Sequence, residues 1–235
     1  MIAAPGTAPA LAARAATTTT PIAFAVGQDP VKLGLVASLA RPGGNATGFN
    51  SFNQEMQSKV LSLLHELVPK AVRVGVLVDP INAQNAEAIR EVREVAPALG
   101  LQIQVVNAST IGEINAAFAA LTRERADALF VTADALFTSR RVQLATLATR
   151  DRIPAAYVGR EFPVAGGLMS YGTSLTDTSR QIGIYTGNIL KGAKPAELPV
   201  QQAVKFELVI NRGTATLLGI EVPLQLLAIA DEIIE

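Results

Sequence analysis

The chain has 235 residues, 49% of them hydrophobic, with 20 Lys and Arg against 20 Asp and Glu and no cysteine. That is enough chain for one large domain or two small ones around a sizeable core. It excludes disulfides and thiolate chemistry, lacks the basic excess of a nucleic-acid binder, and contains no apolar run near the ~18 residues of a membrane span.

The first twenty residues, "MIAAPGTAPALAARAATTTT", are alanine-rich like an export signal. The basic n-region is missing and Arg14 interrupts the apolar run. The segment reads as a strand end, a turn at Pro5-Gly6, and a helix capped by Thr7 with Pro9 in its first turn. "TPIAFAVGQDP" (20–30) predicts a strand and then a helix start, with Asp29 as cap and Pro30 at the first helical position. The stretch "LARPGGNATGFNSF" (39–52) is glycine-rich, but no lysine follows it and it lacks GxGxxG spacing, so it is not a phosphate loop. Two readings stay open for it: a crossing between two lobes, or a surface loop with turn chemistry.

Beyond it, Met56, Val60, Leu64 and Leu67 keep helical spacing, with the one histidine, His65, beside that stripe. Four apolar runs follow at βα spacing: "VRVGVLVDP" (72–80), "LQIQVVNA" (101–108), "ADALFVTAD" (126–134) and "IPAAYVGRE" (153–161). Between the first three, Ala86, Ile89, Val92, Ala96 and Leu99 mark a helix closed by Gly100. Ile114, Ala117 and Leu121 mark another, opened by a Thr110/Glu113 capping box. "GGLMSYGTS" (166–174) is a second glycine-flanked passage. A helix near 174–191 closed by Gly192, a strand at "AVKFELVIN" (203–211) and a last helix at "PLQLLAIADEII" (223–234) complete the chain.

Near-continuous apolar strands alternating with amphipathic helices predict an α/β fold, with mostly parallel sheet covered on both faces. The flanks read as a second such unit. The predicted lobes are 1–48 plus 172–235 and 49–171, with crossings near 41–51 and 168–174. Such lobes can close around a ligand.

Chemistry other than binding finds little support. His65 reads as a solvated helix position, a His/Cys zinc site is excluded, and a Ser/His/Asp triad would rest on His65 alone. Asp79, Asp134 and Asp151 are dispersed rather than arranged as a calcium loop. "NAT" (45–47) fits a sequon but is more economically a turn, and Arg140–Arg141 fit a solvated helix face. No catalytic residue, metal or cofactor is expected.

Ligands of open α/β sheets sit beyond the carboxyl ends of the strands. Those ends supply the candidate ligand-binding residues: Thr7, Gln28, Asp29, Asn50, Asn82, Asp134, Arg160, Glu161 and Tyr171. For Asp29 and Asn82 helix capping is the favoured reading. Arg160 on an α-carboxylate and Asp134 on an α-ammonium would suit a zwitterionic amino acid. An Arg160–Asp134 or Arg160–Glu161 salt bridge is the competing reading. Tyr171, Phe49 and Tyr157 could offer ring surface, with core packing favoured for Tyr157.

"PIAFAVGQDPVKLGLVASLARPGGNATGFN", "GGLMSYG", "LKGAKPAELPVQQAVKFELVIN" and "LLAIADEIIE", in that order, resemble the substrate-binding proteins of ABC transporters. The nearest group includes the tryptophan-binding lipoproteins. The resemblance spans essentially the whole chain. It implies a type I periplasmic-binding-protein fold with a third crossing near Phe206–Asn211, and a small solute, such as an aromatic or branched amino acid, held in the inter-lobe cleft. It also implies ABC permease subunits as partners and a periplasmic or lipoprotein-anchored location. A ligand-sensing domain or an α/β enzyme using the same cleft is the alternative. Family members begin further upstream, so "MIAAPG" is expected to be an unpaired edge strand of an incomplete first lobe, able to pair with a second copy.

Overall fold

The computed structural model describes residues 1–51, 56–82, 84–203 and 205–235. The chain divides into two compact units, Met1–Gln54 with Thr173–Phe206, and Glu55–Gly172 with Glu207–Glu235. It opens with β1 (Ile2–Pro5), α1 (Thr7–Ala16), β2 (Ile22–Val26) and β3 (Ala46–Asn50). The second unit begins with α2 (Met56–Leu67), β4 (Arg73–Val78), α3 (Gln84–Val95), β5 (Gln102–Asn107), α4 (Ile111–Arg123) and β6 (Ala128–Val131). It continues through α5 (Ala135–Ser139), α6 (Arg141–Arg150), β7 (Ala155–Tyr157), α7 (Glu161–Val164) and β8 (Met169–Thr173). The chain then returns through α8 (Leu175–Leu190) and β9 (Gln201–Gln202), and finishes with β10 (Phe206–Asn211), α9 (Arg212–Leu218), α10 (Leu224–Ile229) and β11 (Glu232–Ile234).

In the first unit the strands run β1-β2-β3-β9, each pair parallel. Every residue of β2 is buried, because helices cover both faces of the sheet. Ile22, Phe24 and Val26 pack with Ala10 and Ala13 of α1, while Ala23 packs with Tyr185 and Ile189 of α8. β1 is an edge strand. Ile2 and Gly6 turn their N–H groups to β2, so by alternation Ala3 and Pro5 face outward. Pro5 has no N–H, which leaves little for a second copy to pair with.

The second unit's sheet has the order β11-β10-β8-β7-β6-β4-β5. One face packs Val76, Phe130, Ala156 and Met169 under α2. The other packs Leu77, Leu129, Val131 and Tyr157 under α4 and α6. A 3-10 helix, Ala96–Leu99, follows α3, and Gly100 closes it in a left-handed conformation, as its position in the sequence predicts. Thr110 caps α4 through the Glu113 N–H at 3.2 Å, but the Glu113 carboxylate reaches back to the Ser109 N–H at 2.7 Å rather than to Thr110.

Four expectations are corrected. The glycine-rich stretch is not a crossing: residues 46–50 form β3, buried throughout in the first sheet. Glycine is required at Gly48 because a Cβ there would collide with the Phe24 carbonyl of β2. The compact units change after residue 54, and the segment 52–55 lies outside the described residues. Asp29 starts a turn and not a helix, accepting from the Val31 N–H at 2.8 Å. Gly6, not Thr7, holds the cap position of α1. Finally, the tail 207–235 belongs to the second unit, since β10 and β11 join its sheet, and β11 replaces the end of the predicted last helix. Asp231 fixes that change by accepting from the Leu208 N–H at 2.8 Å.

Candidate functional site at the strand carboxyl ends

In the second unit the ends of β4, β5 and β6 carry a polar network. Asp79-Pro80-Ile81-Asn82 is a turn closed by the Asn82 N–H on the Asp79 carbonyl at 3.1 Å. The Asp79 carboxylate accepts from the Ile81 N–H at 3.0 Å and from the Ser109 hydroxyl at 2.5 Å. The side-chain amide of buried Asn85 donates to the Asp79 carbonyl at 2.8 Å. Asn82 Nδ2 donates to Asp134 Oδ2 at 2.8 Å, and Asp134 Oδ1 accepts from the Leu136 N–H at 2.7 Å as the cap of α5. A carboxylate has about four acceptor positions, so two donors each leave Asp79 and Asp134 able to receive another. This rim suits an ammonium group.

Asn82 and Asp134 are therefore brought together through the Asn82 side-chain amide. Arg160 is not brought to Asp134 or Glu161. Its guanidinium makes a two-pronged pair with Glu232 of β11, at 2.8 and 2.7 Å. Glu207 and Glu161 add further negative charge around it and, after Glu232, hold the guanidinium protonated. The pair with Glu232 occupies the Nε and Nη2 edge of the guanidinium. The Glu161 carboxylate folds over Gly159, where a Cβ would strike it.

Tyr171 is half-buried on β8 against the core, and burial, then the Asp231 charge, push its phenol above the usual value. Tyr157 is fully buried and stacks on Phe162 at 4.4 Å, with its hydroxyl pushed well above the ordinary range by burial. Phe49 is buried within β3. In the first unit, Thr7, Gln28 and Asp29 are half-buried at the ends of β1 and β2, and Asn50 is buried at the end of β3, in register with Val26. Among the described residues no group of three or more His, Cys, Asp or Glu side chains could hold a metal ion, and no helix is long and apolar enough to cross a membrane.

Sequence reasoning missed the Asp79–Ser109 pair and the partner of Arg160. The first was signalled by the Asp-Pro that ends β4, which is a turn start as well as a strand stop. The second had no local signal, because Glu232 lies 72 residues away.

A family model described as ABC transporter substrate binding protein matches residues 1–234. A tyrosine-binding protein of Clostridioides difficile is 28% identical over 221 residues, 94% of this chain and 63% of that protein, so this chain spans less than two thirds of that relative's length. A crystal structure of an ABC domain in complex with L-Trp from Streptococcus pneumoniae superposes with TM-score 0.88 at 26% identity, over 100% of this chain and 78% of that one. A conserved domain protein from Vibrio cholerae gives TM-score 0.87 at 28% identity, over 99% and 78%. With its α/β units and parallel sheets of the type I periplasmic-binding-protein kind, the chain belongs to the ABC transporter substrate-binding protein family.

Proposed function

We propose that this protein is the solute-binding component of an ABC uptake system, working with permease subunits outside the cytoplasmic membrane. Its solute is an amino acid with an aromatic or branched side chain. The observation that carries this reading is the Asn82–Asp134 pair beside Asp79 at the carboxyl ends of the second sheet. Asp134 there receives the α-ammonium, with Asn82 fixing the carboxylate from behind. The L-Trp bound to one similar structure and the name of the tyrosine-binding relative support the ligand class. Thr7, Gln28, Asp29, Asn50 and Tyr171 are the further ligand-facing candidates. Arg160 acts as a strap for β11 through Glu232.

Calorimetry with L-tryptophan and L-tyrosine tests this. The wild-type chain should bind one of them. Asp134→Asn should weaken that binding about ten- to hundredfold, by loss of a charged hydrogen bond worth roughly 1.5–3 kcal/mol. Asparagine caps helices as well as aspartate does, so the fold should survive. Arg160→Ala should leave affinity within about twofold, since an exposed pair contributes at most ~1 kcal/mol to stability. Absence of binding to any member of an amino-acid panel would defeat the reading.

A further inference from the structure

We propose that Ile81 is the residue that selects an apolar side chain on the solute; this rests on the function proposed above. Ile81 occupies the third position of the Asp79–Asn82 turn, where Asn, Asp, Ser and Gly are the usual residues. Turn chemistry gives no reason for a β-branched apolar side chain there. Its backbone is nonetheless fixed: its N–H donates to Asp79 at 3.0 Å, and Ser109 holds that same carboxylate oxygen. The side chain is left 80% exposed, against 0–1% for Val76, Leu77 and Val78 of the strand that leads into the turn. Neighbouring side chains on this rim, Asp79, Asn82, Ser109 and Asp134, are polar and already hydrogen-bonded to one another. An amino acid whose ammonium meets Asp134 therefore finds, in the turn beside Asn82, an exposed apolar side chain against which an apolar group can leave water. Burying that contact is favourable in proportion to the area covered. A solute lacking such a group gains nothing from it, which makes the position a selector rather than a general contact.

The chain contains no tryptophan, so the emission of L-tryptophan added to it reports the ligand alone. Fluorescence titration with L-tryptophan should show a blue-shifted bound indole in the wild type. Ile81→Asn should weaken binding about five- to tenfold and move the bound emission to the red, while Ile81→Leu restores both. The melting temperature of both variants should match the wild type, because the side chain contributes nothing to the core. Unchanged affinity and emission in Ile81→Asn would overturn the proposal while leaving the solute-binding function standing. No binding of any member of an amino-acid panel by the wild type would instead remove the function on which it rests.

Discussion

Single carboxylates do different work in this protein according to what donates to them. Asp127 precedes β6 and accepts from the Arg73 N–H at 2.7 Å and the Val72 N–H at 3.1 Å, with the Arg73 guanidinium at 3.8 Å. Burial by itself would raise its pKa, but the two N–H donors and the Arg73 charge outweigh it and hold the group below the ordinary carboxylate value. A folded-state pKa below the unfolded one adds stability above the unfolded value, and that stability is lost as pH falls through the folded one. Asp127→Ala should therefore cost about 1–2 kcal/mol at neutral pH. The gap between variant and wild type should narrow below about pH 4. Urea unfolding at both pH values checks this, and an equal gap at the two would show that Asp127 acts through shape and not charge.

At the scale of elements, the glycine-rich entry to β3 shows how composition misleads. Gly43 and Gly44 lie before the strand and Gly48 within it, so the segment reads as a linker although half of it is core. Gly48→Ala should force β3 away from β2, because the added methyl meets the Phe24 backbone and not a side chain that can swing aside. Overpacking of this kind costs roughly 1–3 kcal/mol. Gly44→Ala is the control: a Cβ there meets nothing within 4 Å, and the change should stay within about 0.5 kcal/mol. Thermal unfolding of the pair separates close strand approach from general loss of glycine. Equal melting temperatures would mean that the sheet tolerates a wider β2–β3 spacing.

At the scale of the whole molecule, charge is divided unevenly. The chain is neutral overall, yet the first unit holds seven Lys and Arg against three Asp and Glu, and the second thirteen against seventeen, net charges of +4 and −4. Opposite charges on tethered bodies attract, with a range of about 30 Å at 0.01 M salt and about 10 Å at 0.1 M. If binding draws the units together, affinity for a zwitterionic solute should fall as ionic strength rises, although the solute itself carries no net charge. Calorimetry over a salt series reads this directly, and a flat profile would mean that the charge division has no part in binding.

The amino-acid sequence by itself determined the α/β class and the positions of most strands and helices. Those follow from periodicity and from caps such as Thr110 and Gly100, which are local. It also placed the family resemblance and the carboxyl-end residues Asn82 and Asp134, because strands end where apolar runs end. Tertiary structure decided what depends on neighbours distant in the chain. β3 is a strand because Phe24 lies against Gly48. β11 is a strand because β10 offers it an open edge at Val209–Asn211. Arg160 is held by a glutamate 72 residues away. None of these partners is within reach of a sequence window, since a side chain or an edge strand takes its role from whatever the fold puts opposite it.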